Sequence, residues 1–177
     1  MKSPDRGNGA DQRPSIGPMT AAPAPSGTTA PAPPRPARVD VRAPRFAATL
    51  TTVVLVAVLA TGSGWLLTAQ GAVFALGAFL GLRFSPYGWI FRHLVRPRLA
   101  PPSAFEDEAP PRFAQAVGLV FAAVGAVGYL SGVTALGVAA TALALAAACL
   151  NAAFGFCLGC EMYLLLARAR NRSTPRS

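Results

Sequence analysis

FAATLTTVVLVAVLATGSGWLLTAQGAVFALGAFLGL, residues 46–82, runs for 37 positions without an Asp, Glu, Lys, Arg or His. A helix crossing the hydrocarbon core of a bilayer needs roughly 20 apolar residues. This run is too long for one crossing and suits two, with Thr61-Gly62-Ser63-Gly64 supplying a turn between them. A second uncharged run, residues 113–160, spans 48 positions and has Ser131-Gly132 near its middle. The chain has 177 residues, 53% of them hydrophobic and only 13% charged, which excludes an ordinary soluble domain. The pattern therefore predicts an all-α membrane protein with four transmembrane helices in two tandem hairpins. They are expected at about 46–60, 65–82, 113–130 and 133–150, with Trp65 and Tyr129 as aromatic residues at the outer interface.

Working outward from the runs, the charges fix an expected orientation. The formal net charge is +9. Arg35, Arg38, Arg42 and Arg45 precede the first run, while Arg83, Arg92, Arg96, Arg98 and Arg112 lie between the runs. Arg168, Arg170, Arg172 and Arg176 follow the second. Two hairpins bring all three groups to one side, and the hairpin tips carry no charge. The positive-inside rule then puts both termini and the central loop in the cytoplasm. The basic residues read as topology determinants facing the lipid bilayer and not as a nucleic-acid surface, since no aromatic-basic module accompanies them.

Residues 1–44 contain ten prolines and almost no bulky apolar side chain before Val39, a composition that predicts a disordered cytoplasmic tail. A four-helix membrane domain is expected over 45–170, and a second disordered tail over 171–177. No cleaved signal peptide is expected, because the first run turns straight into a second span.

An internal repeat divides the membrane domain. Pro-Arg-Phe-Ala occurs at 44–47 and again at 111–114, an offset of 67. At the same offset Tyr87-Gly88-Trp89 matches Phe154-Gly155-Phe156. Two units, about 44–98 and 111–168, follow, related by a pseudo-twofold axis along the membrane normal. Ser85-Pro86 marks a helix start in the first unit. By analogy a break is expected near Asn151, with a helix from about 152 to 169. Together with 86–95 it makes two short interfacial helices on the cytoplasmic side.

Cys157, Cys160 and Glu161 carry the candidate chemistry. At spacings i, i+3 and i+4 they share one face of a helix, and residues three apart lie within reach of a disulfide. Three functions fit this set. A dithiol exchanging electrons or sulfur would use both cysteines, with Glu161 taking up a proton. A metal site would need more ligands, for which His93, 67 positions before Cys160, is the repeat-derived candidate beside Cys157, Cys160 and Glu161. A packing role would use the cysteines as small apolar residues beside Gly155-x-x-x-Gly159. A nearby carboxylate and apolar surroundings disfavour the thiolate. With a helix start near Asn151, Cys157 would also fall beyond the first turn, where the helix dipole helps most. That setting fits a slow exchange partner or sulfur carrier better than a strong oxidant. Haem is not indicated, no other cofactor is expected, and Cys149 reads as structural. Whether the chain is an enzyme stays open.

The segments PRFAQAVGLVFAAVGAVGYL and NAAFGFCLGCEMYLLLAR resemble a bacterial membrane-protein family known as domain of unknown function 4395, over about Val39 to Arg168. The resemblance implies a small protein of the bacterial cytoplasmic (inner) membrane without an assigned activity. It also implies a soluble thioredoxin-like or sulfurtransferase partner, with Cys157 and Cys160 as the motif cysteines.

Overall fold

The computed structural model describes residues 38–102 and 104–172, all within one compact unit. The expected tail at 1–37 and the last five residues lie outside the described residues. Residues 38–44, expected in the tail, are built into the fold. Strand β1 (Arg38–Asp40) precedes helix α1 (Arg42–Thr61), and the Asp40 carboxylate accepts the Arg42 backbone N–H at 3.0 Å. This side-chain turn lets α1 begin before the apolar run and reach 20 residues, about 30 Å at 1.5 Å per residue.

Gly62 then adopts φ +63°, and Ser63 caps helix α2 (Gly64–Ala75) by accepting the Leu66 N–H at 3.2 Å. The chain stays helical through a π-wound turn, Leu76–Leu80. Helix α3 (Pro86–Ile90) continues through a π turn to Val95 and ends in a 3-10 turn at Arg96–Arg98. Strand β2 (Phe105–Asp107) leads into α4 (Ala109–Leu130), which is followed by α5 (Thr134–Phe154) and α6 (Leu158–Arg172).

Helices α1, α4 and α5 are each long and apolar enough to cross a membrane. The helical segment Gly64–Leu80 is apolar but shorter. The first span, expected to be the short one at 46–60, is thus among the long helices, and the four expected spans become three long helices and one shorter one. The shortfall comes from Gly81, whose φ of +99° ends the helix before Leu82.

Each hairpin's first helix packs along the second helix of the other: α1 on α5, and α4 on α2, with α4 and α5 also closely paired. A thin core of Leu55, Val58, Leu67, Phe74, Ala122 and Ala126 fills the centre. Many large apolar residues instead face outward, among them Val53, Phe79, Val120 and Leu143. An exposed apolar surface of this extent is suited to lipid and not to water. Both turns lie at one end of the bundle, where Gly64 packs against Tyr129 and Leu130. Trp65 is exposed there, whereas the Tyr129 hydroxyl is buried.

At the opposite, basal end the contacts are reciprocal between the two halves of the chain. β1 and β2 pair antiparallel with Val39 opposite Glu106, which are themselves equivalent at the offset of 67. A strand paired with its own repeat copy about its midpoint is what a twofold axis through that pair requires. Asp107 accepts the Ala109 N–H at 3.0 Å, repeating the Asp40 turn. Arg45 donates to the Ala152 and Ala153 carbonyls at 3.0 and 2.8 Å, closing the end of α5. Its counterpart Arg112 donates to the Ala78 and Phe79 carbonyls, both at 2.9 Å through Nη2, closing the end of the shorter apolar helix. Each Pro-Arg-Phe-Ala segment therefore satisfies the last carbonyls of the other unit, which otherwise lack intrahelical partners.

Candidate functional site at the second basal junction

The break between α5 and α6 falls at Gly155–Cys157, several residues after the expected position near Asn151. Asn151 remains helical, and its carbonyl accepts the Gly155 N–H at 2.9 Å. Gly155, at φ +69°, supplies the left-handed cap. Gly155-x-x-x-Gly159 is consequently no continuous packing stripe. Gly155 has open space where a Cβ would stand, whereas Gly159 presses α6 directly on Ala114, leaving no room for one.

This boundary changes the chemistry of Cys157. The Glu161 N–H donates to the Cys157 carbonyl at 3.0 Å, which makes Cys157 the residue that caps α6. The Cys160 backbone N–H points at the Cys157 sulfur, 3.4 Å away. Cys157 therefore sits at the start of α6, where the helix dipole and the Cys160 N–H favour negative charge, not beyond the first turn. The two sulfurs are paired as a disulfide, with Cα atoms 5.2 Å apart.

A cavity of about 450 Å³ adjoins the pair, lined by Cys157, Cys160, Glu161, Arg45, Glu106 and Asp107 among others. Three carboxylates surround it, and its one guanidinium is occupied with the α5 carbonyls. Cys157 and Asn151 also border an apolar cavity of about 330 Å³ between α4, α5 and α6. Glu161 is exposed. Its side chain joins the cysteines at the same cavity, so the structure brings those three candidates together.

His93 does not join them. Its ring packs against that of Trp89 at a tilt of 42°, with centroids 4.9 Å apart. Among the described residues no three of His, Cys, Asp and Glu are placed to hold a metal ion. The reason is a drift in the repeat. Helix starts α1 and α4 are offset by 67, but α3 and α6 are offset by 72. The second unit has a longer turn and longer helices but a connection into α6 that is shorter by two, so Gly81 corresponds to Gly155 at an offset of 74 and Ser85 to Cys157 at an offset of 72. Ring contacts verify this correspondence: Phe46 meets Phe91 at 5.7 Å, and Phe113 meets Tyr163 at 5.8 Å. Gly88, not His93, is the counterpart of Cys160.

The corrected correspondence pairs Ser85, already expected to start a helix, with Cys157 and brings in residues that motif reading passed over. Ser85 caps α3 as Cys157 caps α6, and the Trp89 N–H donates to the Ser85 carbonyl at 2.9 Å. Between them Tyr87 answers to Gly159. The Tyr87 hydroxyl donates to Gln70 Oε1 at 2.6 Å, and burial pushes its pKa up despite that bond. Glu108 and Val41 are likewise equivalent, as the residues preceding α4 and α1. Glu108 is buried, and its Oε1 accepts the Leu82 N–H at 2.6 Å, filling the first junction. Val41 offers no such acceptor and merely lines the cysteine cavity.

Residues 39–168 match the family described as Domain of unknown function (DUF4395). The chain belongs to this family. Comparison with curated proteins and with solved structures gave no match. In this DUF4395 protein the matched region contains both hairpins and the cysteine pair, and ends within α6.

Proposed function

We propose that this protein is a membrane dithiol of the bacterial cytoplasmic membrane, with Cys157 and Cys160 exchanging electrons or sulfur with a soluble thioredoxin-like or sulfurtransferase partner. The observation that carries this reading is the contrast between the units. The fold builds the same helix start from Ser85 and Gly88 in the first unit, so the backbone itself has no need of sulfur at 157 and 160. In this reading Gly64–Leu80 crosses the bilayer as a short fourth span; its 17 residues give about 25 Å, at the lower end of what a span needs. The basal end, with the arginines and the cysteines, faces the cytoplasm by the positive-inside rule.

The chemistry balances as thiol–disulfide exchange. Cys157 thiolate, favoured by the α6 N-terminus, attacks a disulfide sulfur of the partner and expels one partner thiolate. Cys160 thiolate then attacks the Cys157 sulfur of the mixed disulfide and releases the second partner thiolate. Two electrons pass to the partner, and the Cys157–Cys160 disulfide remains. The proton released from each thiol passes by way of Glu161 to solvent.

The test is trapping in cells. Cys160→Ser should accumulate a mixed disulfide through Cys157, and Cys157→Ser should accumulate far less. Equal and negligible trapping by both variants would sink the assignment. The rival reading, a scaffold in which the cysteines only pack, draws on the close seat of Gly159 against Ala114. It predicts that Cys157→Ala/Cys160→Ala alters stability modestly and leaves every thiol-dependent phenotype intact. A reporter active only in the cytoplasm, fused to the C-terminus, tests the orientation; a dark fusion would reverse it.

A further inference from the structure

The basal junction of the first unit carries a second feature, independent of the dithiol reading. Its cavity, about 260 Å³, is lined by Arg38, Arg83, Arg92 and Arg96, against a single carboxylate, Asp40. That carboxylate already accepts the Arg42 N–H and lies 3.9 Å from the Arg42 guanidinium. Arg83 and Arg92 also border an adjoining hollow with Phe84 and Trp89. The two arginines are held in place: Arg92 donates to the Arg83 carbonyl at 2.7 Å, and the Arg83 guanidinium lies 4.6 Å over the Phe84 ring.

We infer that this pair of hollows binds the headgroup of an anionic phospholipid, its phosphate on Arg83, Arg92 and Arg96 and its acyl chains along Phe84 and Trp89. Charge complementarity supplies the first half of the case. Guanidinium groups bind phosphate oxygens by paired, charge-assisted hydrogen bonds, and here four arginines line one cavity against Asp40, while the buried Glu108 is engaged by the Leu82 N–H. Position supplies the second half. Arg83 stands three residues beyond the end of the apolar helix at Leu80, the depth at which a spanning helix meets headgroups. Phe84 and Trp89, each more than half exposed, present apolar surface beside the arginines, which a freely soluble phosphate would not use. The equivalent cavity at the other junction bears three carboxylates and would repel the same ligand.

The experiment titrates the detergent-solubilised full chain with phosphatidylglycerol, phosphatidylcholine or inorganic phosphate, reading bound lipid by native mass spectrometry. Phosphatidylglycerol should half-saturate at a concentration at least about tenfold lower than phosphatidylcholine. Arg83→Gln/Arg96→Gln, which spares the Arg92 bond, should weaken it roughly 10- to 30-fold. Arg83→Lys/Arg96→Lys should restore most of that loss. Arg168→Gln/Arg172→Gln on α6 should change it less than about threefold. Equal loss in the two glutamine pairs, or none in the first, would overturn the site. Displacement of the lipid by inorganic phosphate at similar concentration would reassign it to a soluble anion. A reading that leaves every arginine in place uses Trp65→Phe, in which Trp89 is the one remaining tryptophan. Brominated phosphatidylglycerol should quench Trp89 more than brominated phosphatidylcholine does, and equal quenching would contradict the proposal.

Discussion

The two basal junctions are the same piece of architecture put to different uses. In the first, Gly81 turns the chain, Glu108 fills the space behind it, and Ser85 starts α3. In the second, Gly155 turns the chain, Val41 stands where Glu108 would be, and Cys157 starts α6. Leu82 is 8% exposed, whereas its counterpart Phe156 is 47% exposed. One junction is closed by a buried carboxylate and rimmed with arginines. Its twin is open, lined with carboxylates, and holds the cysteine pair. Two junctions that keep a glycine turn, a helix start and a ring contact, yet exchange these few side chains, separate what the fold requires from what the site adds.

The largest expected effect breaks the closed junction. Gly81→Ala forces an alanine to φ +99° and sets its Cβ 2.8 Å from Glu108 Oε1. Backbone strain plus a disturbed buried hydrogen bond should cost about 3 kcal/mol in reversible unfolding from detergent. Gly155→Ala carries only the strain, since nothing lies within 4 Å of its Cβ position, and should cost about 1 kcal/mol. Equal losses would show that the junctions do not differ in packing. Next in size, Glu108→Ala leaves the Leu82 N–H without its acceptor and should cost about 2 kcal/mol in the same assay.

Smaller in energy but sharper in meaning is the exchange of one unit's residues for the other's. Cys157→Ser/Cys160→Gly gives α6 the start that α3 already has, and should stay within about 1 kcal/mol of the parent while losing all thiol exchange. A loss of several kcal/mol would favour cysteines that hold the fold. The converse variant, Val41→Glu, should place a carboxylate in the cysteine cavity and slow alkylation of reduced Cys157 by about tenfold at neutral pH. The smallest effect belongs to Glu161. An exposed carboxylate opposes a nearby thiolate, so Glu161→Gln should speed alkylation about two- to threefold, and an unchanged rate would mean that its charge is screened from the sulfur.

The helical class and the places of the apolar helices were legible in the sequence, because long runs without charge leave helices suited to lipid as the reading, although one of the four expected spans is shorter than the other three. Helix ends were less so. The chain stays helical to Phe154 since nothing at Asn151 opposes it, and the left-handed Gly155 decides the stop. The start of α1 depended on Asp40, which the Pro-rich tail concealed, although Asp40 and Asp107 share the offset of Pro-Arg-Phe-Ala and were a usable signal. The cysteines and Glu161 were found by motif and Ser85 by its place before Pro86, but the role of Val41, and the hold of Arg45 on the α5 carbonyls, became visible only in the tertiary structure. A fixed offset of 67 also misled, because a longer turn and a longer α5 shift the register before α6 is reached. His93 was carried to Cys160 on that false register.

The most direct test of the dithiol reading is the redox state of Cys157 and Cys160 in growing cells. The chain would carry Cys149→Ser and be quenched with acid before labelling with a mass-tagged maleimide, with the Cys157→Ala/Cys160→Ala variant in the same background as the reference. The account predicts an oxidised fraction that rises under disulfide stress and falls again on recovery. Two thiols that label fully under both conditions would contradict it.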